Sequence, residues 1–184
     1  MEPRKYDLIE VTLEPENYDK IKEVYRLHKE QANKLFDLSC KISTNEDIMD
    51  LIKNRIENQY VFLIVDTTNN KYAGCITFEN MKIYNNTIVN VEVHPVISKR
   101  YWGKSSRDII EDAYKFVEEN WLPINRITAR VPSNNLGIIK LLKDVGFKIE
   151  GTCTNMYIYK DKNGNDKYYN QLIYSDINRR LKNG

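Results

Sequence analysis

The sequence predicts an α/β fold, a mixed and mostly antiparallel sheet with flanking helices, and three stretches predict it. Residues 87–147 read as strand, basic loop, long helix, strand, short helix and Gly146-Phe147. Ahead of them, apolar runs at 60–66 and 72–81 are joined by Thr67-Thr68-Asn69-Asn70-Lys71, an Asn-rich connection suited to a hairpin. Behind them, runs at 147–159 and 168–175 flank Lys162-Asn163-Gly164-Asn165, another hairpin signal.

In chain order, Leu8, Val11 and Leu13 alternate loosely with polar residues and predict a short strand over 7–13. Glu14-Pro15-Glu16-Asn17 opens a helix whose apolar positions Ile21, Val24 and Leu27 continue to Ala32, Leu35 and Phe36. Residues 37–43 break that pattern with a turn. Thr44, with Asp47 at the third position after it, is a capping-box start, and Ile48, Leu51, Ile52 and Ile56 form one helical face. Gly74, inside the 72–81 strand, marks a bulge or a close approach. Tyr84-Asn85-Asn86-Thr87 turns the chain into a central strand, where Val89, Val91 and Val93 alternate with Asn90, Glu92 and His94. Pro95, having no N–H, is expected to end that strand. Ile109, Ile110, Ala113, Phe116 and Val117 make the clearest helical stripe, over 105–120, with Trp121 trailing and Pro123 ending it. A strand over 124–131 closes at Pro132. A helix over 135–145 buries Ile138, Ile139, Leu141, Leu142 and Val145, with Gly146 as a left-handed stop. A basic tail occupies 178–184.

Composition narrows the function. The 184 residues read as one domain: an N-terminal part over 1–86, a core over 87–147 and C-terminal strands over 148–184. Apolar residues at 41% and charged residues at 29% are those of an ordinary soluble globular protein. The net charge of +2 is spread along the chain, which argues against a nucleic-acid partner. No apolar run approaches the ~20 residues that span a bilayer, and the first residues lack a signal peptide's apolar segment. No membrane partner is expected. Cys40, Cys75 and Cys153 are far apart, with neither metal-ligand spacing nor a disulfide framework. Cys75 and Cys153 read as buried thiols, no metal is expected, and the expected location is cytoplasmic.

The chemistry concentrates after the central strand. Lys99, Arg100 and Lys104 surround Gly103 and lead into Ser105-Ser106 at a helix start. Free N–H groups at a helix N-terminus, its positive dipole and nearby cations suit a phosphate. The plainer alternative is a Ser-capped helix with a basic approach. His94 has a reference pKa of ~6.5, suited to proton transfer, or serves structurally ahead of Pro95. His28, on the first helix, reads as a surface residue.

These segments together resemble a known family. The central strand, the basic loop opening a helix, the 124–131 strand followed by Ser133-Asn134-Asn135, and Leu141-Leu142-Lys143-Asp144-Val145-Gly146-Phe147 are similar to the acetyl-CoA core of the GNAT N-acetyltransferases. Trp102-Gly103-Lys104 and the late Tyr168–Ser175 stretch are similar to the ribosomal-protein N-terminal acetyltransferase branch. The long approach from His94-Pro95 to Trp102 resembles GNAT-like proteins encoded by tailed phages.

The resemblance implies a central strand pair that splays apart and acetyl-CoA as cofactor. Backbone groups of Val91 and Val93 would meet the pantetheine arm. Arg100, Gly103, Lys104, Ser105 and Ser106 would hold the pyrophosphate, Arg100, Gly103 and Ser105 answering to the family's Arg/Gln-x-x-Gly-x-Gly/Ala pattern. Asn135 would reach the pantetheine region, cap the next helix, or do both. Glu92 would be the base, directly or through a water, or else a salt-bridged strand carboxylate; His94 is the other candidate base. Leu142 stands where many members have a tyrosine acid, leaving Tyr157 and Tyr159 as substitutes. The implied reaction moves an acetyl group to a primary amine of a protein or a small molecule, in a monomer or homodimer. The rival reading is a GNAT-shaped phage structural or host-interaction protein without catalysis, in the host cytoplasm or the virion.

Overall fold

The computed structural model describes residues 4–31, 44–160, 163 and 165–177. The expected positions Ala32, Leu35 and Phe36, the 37–43 turn, Cys40, most of the 162–165 turn, the side chain of Tyr159 and the 178–184 tail lie outside them.

Seven strands form one sheet in the order β1-β2-β3-β4-β5-β7-β6. They are β1 (Tyr6–Glu10), β2 (Tyr60–Asp66), β3 (Lys71–Tyr84), β4 (Thr87–Ile97), β5 (Arg126–Pro132), β6 (Lys148–Lys160) and β7 (Asp166–Ile177). Every neighbouring pair is antiparallel except β4 and β5. Helices α1 (Tyr18–Glu30) and α2 (Asn45–Asn58) cover one face, and α3 (Lys104–Asn120) and α4 (Leu136–Asp144) cover the other. Between α1, α2 and the sheet lie Val24, Leu27, Ile48, Ile52, Val61, Leu63, Cys75 and Val96. The larger core joins Phe62, Ile76, Phe78, Val91, Ile109, Ala113, Val117, Ile127 and Leu142. With both faces covered, β2 is buried from Val61 to its end, which explains its unbroken apolar run.

Local chemistry sets the element ends. Thr44 and Asp47 form a reciprocal capping box, with bonds of 2.8 and 3.0 Å. Gly146 stops α4 at φ 97°, a left-handed angle that glycine adopts without a Cβ penalty. Asn85 and Asn86, at φ 46° and 56°, make the turn between β3 and β4. At Gly74 an added Cβ would sit 2.6 Å from the Val96 carbonyl oxygen, so two backbones approach there as only glycine allows. A register shift beside it shows that the expected bulge is present as well.

Several expectations need correcting. β4 does not end at Pro95 but continues to Ile97. The Ser98 amide donates to Ala73 on the β3 side at 2.9 Å, and the neighbouring Ile97 carbonyl faces away, accepting from Trp102 Nε1 at 2.9 Å. Counting back in twos along an unshifted register, Pro95 also turns its backbone away from β3, so its missing N–H breaks no ladder bond. The valine alternation fails at its first member. Register shifts between β3 and β4 expose Val89 (39%) and bury Ile88 (1%) in its place. α3 begins at Lys104 with Gly103 as its N-cap, so no serine caps it; Ser106 Oγ donates to the Tyr101 carbonyl instead. The first strand is shorter than expected: after a last bond to β2, from the Val11 amide to the Val61 carbonyl, the chain turns away to a 3-10 turn at Pro15–Asn17. Cys75 is buried, whereas Cys153 is half-buried beside a bulge in β6. His28 is no surface residue. It is 1% exposed, wedged between α1 and Arg55 of α2.

Candidate active site

β4 and β5 pair only at Val91↔Ile127 and Glu92↔Thr128. Both strands run on beyond that point without pairing to each other, so the sheet opens into a wedge. By the same alternation that frees Pro95, Val93 turns its amide and carbonyl into the wedge, while Val91 is committed to β5. A cavity of about 560 Å³ occupies the opening. Its walls are Val93, His94, Pro95 and Val96 of β4; Ala129, Arg130, Val131 and Pro132 of β5; Leu51, Asn54, Arg55 and Gln59 on the α2 side; and Ile138 and Leu142 of α4. Glu79, Asn80, Glu92, Asn135, Tyr157 and Gln171 complete it.

A charge network lines this cavity. Glu79 and Glu92 are direct cross-strand partners, an arrangement that like charges tolerate only with cations between or beside them. Arg130 Nε lies 2.8 Å from Glu92 Oε1, and Asn80 donates to Glu92 Oε2 at 3.2 Å. Asn80 reaches it from a left-handed position, φ 51°, in the β3 bulge. His94 Nε2 is 2.5 Å from Glu79 and 3.7 Å from Glu92. Among the described residues no acceptor lies in hydrogen-bond alignment with that nitrogen, so the contact is chiefly one of charge. Burial pushes Glu92 up, but His94, Asn80 and Arg130 outweigh it and hold the carboxyl below its usual range. Burial likewise pushes Glu79 up, and His94 brings it lower. For His94 burial pulls down, yet the two carboxylates win and keep the imidazole above its ordinary value. The trio therefore favours two carboxylates around an imidazolium. Donor atoms of the three lie within 4.8 Å of one another, a cation-site spacing. An imidazolium has no lone pair to give and Arg130 already holds Glu92, so the arrangement works first as a charge network.

Tyr157 extends from β6 to the same cavity. It is 7% exposed, and its hydroxyl accepts from Gln171 Nε2 at 3.0 Å. Burial pushes the phenol up, so it keeps its proton. Asn135 is the N-cap of α4, its side chain accepting from the Ile138 amide at 3.5 Å, and it lines the cavity as well.

The basic loop sits where β4 ends, outside the cavity lining. Tyr101 anchors it: its hydroxyl donates to Asp66 at 3.2 Å and its ring meets Tyr6 edge-on. Arg100 donates to the Tyr72 carbonyl at 2.7 Å and lies over the Tyr101 ring. Gly103 has φ 91°, and nothing lies within 4 Å of where a Cβ would be. The amides of Lys104 and Ser105, in the first turn of α3, have no intrahelical acceptor. Ser105 is half-buried and Ser106 buried. Open backbone amides at a helix start, with Lys99, Arg100 and Lys104 around them, have the donors and charge that a phosphate group needs.

Glu92, His94, Tyr157, Val93 and Asn135 thus meet at one cavity. Val91 lies one pair deeper, and Arg100, Gly103, Lys104, Ser105 and Ser106 form a separate cradle. Sequence reasoning missed Glu79, Arg130, Arg55, Gln59 and Gln171. Only Glu79 left a signal, since counting the β3–β4 hairpin register sets it near Glu92.

Residues 11–174 match the acetyltransferase (GNAT) domain family. No curated protein matches the chain in sequence. Among solved structures, the ribosomal-protein-S5-alanine acetyltransferase of Vibrio fischeri is similar at 18% identity and TM-score 0.65, covering 97% of this chain and 96% of that one. Spermidine N-acetyltransferase from Vibrio cholerae, solved with CoA and spermine, is similar at 16% identity and TM-score 0.62, covering 95% and 96%. A GNAT-family acetyltransferase from Streptococcus pneumoniae is similar at 19% identity and TM-score 0.61, covering 93% and 99%. With its sheet split at β4 and most of its length matched, the chain belongs to the GNAT acetyltransferase domain family, whose members use acetyl-CoA.

Proposed function

We propose that the chain acetylates a primary amine on a protein, with the chemistry in the β4–β5 wedge and CoA's pyrophosphate on the Gly103 cradle. The observation that carries this reading is the cavity at the strand split, which brings Glu92, His94 and Tyr157 beside the wedge-facing backbone of Val93. The ribosomal-protein branch is the preferred relative, on Trp102-Gly103-Lys104 and the Tyr168–Ser175 stretch.

Acetyl-CoA, when bound, supplies the activated acetyl group. The amide of Val93 donates to the acetyl oxygen as charge gathers there. A carbon–nitrogen bond forms as the carbon–sulfur bond breaks. Glu92 takes the proton released from nitrogen, directly or through a water; a carboxylate held low accepts it because nitrogen becomes strongly acidic once bonded to carbon. Tyr157 gives a proton to the departing sulfur, and solvent carries the proton from Glu92 back to Tyr157. His94 and Arg130 keep Glu92 ionised between turnovers. Arg100, Gly103, Lys104, Ser105 and Ser106 hold the pyrophosphate, and Asn135 and Val91 frame the arm between.

Calorimetry with acetyl-CoA tests the cradle, and thiol release with peptides bearing free N-termini tests transfer. Saturable heat with acceptor-dependent thiol release is the expected result. A chain that releases no heat is a GNAT-shaped protein without catalysis, as in the phage reading.

A further inference from the structure

Arg55 lines the cavity from α2, yet no carboxylate among the described residues lies within ion-pair distance of it. Its guanidinium meets His28 instead, whose Nε2 lies 3.2 Å from Arg55 Nη1. His28 is 1% exposed, and its Nδ1 is 2.9 Å from the Val24 carbonyl. Those two contacts fix the tautomer. Nδ1–H donates to Val24, and the Nε2 lone pair accepts from Arg55. Burial, helped by Arg55, pushes His28 down to about 4, so it stays neutral and steadies the guanidinium. A guanidinium has five N–H donors in a planar fork, and this contact uses one of them.

Charge accounting gives the same direction. Among the described lining residues His94, Arg130 and Arg55 face two carboxylates, Glu79 and Glu92, so the cavity carries one cation in excess when His94 is protonated. Of the three, Arg55, which acts on Glu79 through space, is the one without a carboxylate in ion-pair reach among the described residues. The oxygens Gln59 Oε1 and Gln171 Oε1 are buried without hydrogen-bond partners, and both residues line this cavity. Buried acceptors without donors mark places where a ligand N–H completes the site. An amine satisfies such oxygens; a fork of free guanidinium donors calls for an oxyanion.

We infer that Arg55, oriented by His28, binds a carboxylate on the acceptor, so that the substrate is an amine with a carboxylate close to the reacting nitrogen. That chemistry occurs in a free amino acid and in the acidic first residue of a peptide. A polyamine, cationic throughout, would meet Arg55 with repulsion. The inference rests on the transfer reading above and narrows its acceptor.

The test is acetyl-CoA-dependent thiol release with four probes: glutamate, its α,γ-diamide, a peptide beginning with Glu, and spermidine. A carboxylate-bearing probe is turned over with a KM at least tenfold below that of the diamide, and spermidine is poor. Preference for glutamate assigns a small-molecule acceptor, and preference for the peptide a protein one. Arg55→Ala raises the KM of the preferred probe about tenfold or more and that of the diamide much less, any change in kcat being shared by both probes. Arg55→Lys recovers part of that loss, and serves as the variant if Arg55→Ala does not fold. Equal use of glutamate and its diamide, or an Arg55→Ala defect of the same size on both, overturns the inference. If no probe is turned over, the transfer reading fails for these acceptors. Titration of glutamate and the peptide into the CoA-loaded protein then decides Arg55 separately: binding lost in Arg55→Ala upholds it, and no binding overturns it.

Discussion

Acidification from pH 7.5 to 5 should cost the fold about 2 kcal/mol through His28 alone. The folded protein holds this imidazole near 4, because it is buried beside Arg55, while the unfolded chain returns it to 6.5. Below 6.5 the unfolded state therefore takes up a proton that the folded state refuses. The sign follows: this contribution is fully present above 6.5 and drains away as pH falls toward 4, at up to about 1.4 kcal/mol per pH unit. Stopping at pH 5 keeps Asp66, Glu79 and Glu92 ionised in the folded protein, since all three are held below their ordinary values. The chain has only two histidines, and His94 has the opposite sign, so the two do not mimic each other. The assay is urea unfolding at half-unit pH steps for the wild type and His28→Gln, with the ring followed by NMR. The wild type should lose about 2 kcal/mol that the variant keeps. A His28 ring titrating above pH 6, or parallel stability profiles for the two proteins, would refute the burial argument and with it the steadying of Arg55.

His94 supplies the complementary prediction: its stabilisation is full below 6.5 and is lost as pH rises through its raised folded value, so His94→Gln should flatten the alkaline side of the same profile. Glu92→Gln preserves shape while removing charge, and should lower kcat about 10²- to 10³-fold with acetyl-CoA affinity unchanged by calorimetry; turnover within threefold of wild type would remove Glu92 as the base. Gly74→Ala places a methyl carbon 2.6 Å from the Val96 carbonyl oxygen. Denaturant unfolding should show a loss of about 2–3 kcal/mol. Gly103→Val strains a position at φ 91° that has open space around it, and should weaken acetyl-CoA binding about tenfold. Normal affinity in a folded Gly103→Val protein would move the pyrophosphate elsewhere.

Much of the fold was readable because its signals are local. Thr44 and Asp47 lie three residues apart, Gly146 needs only its own φ, and the β2 run is apolar because both of its faces are covered. Where a signal crossed between strands, reading failed. Pro95 looked like a stop because a one-dimensional argument cannot know that its backbone faces the wedge. Val89 looked buried because a register shift is invisible without the partner strand. His28 looked exposed because Arg55, which meets its Nε2, arrives only when α1 packs on α2.

The amino-acid order by itself determined which segments become strands and helices between Thr87 and Phe147, and which of them carry Glu92, His94, Asn135 and the glycine of the cradle. Those choices follow from side-chain period, capping and backbone freedom, which act within a few residues. Only the tertiary structure decided that β4 parts from β5 after Glu92, and that Arg130, Glu79 and Arg55 converge on the gap. Electrostatics acts through space, so the state of a carboxylate depends on neighbours that the chain supplies from 13 to 38 positions away: Glu79 from β3 and Arg130 from β5.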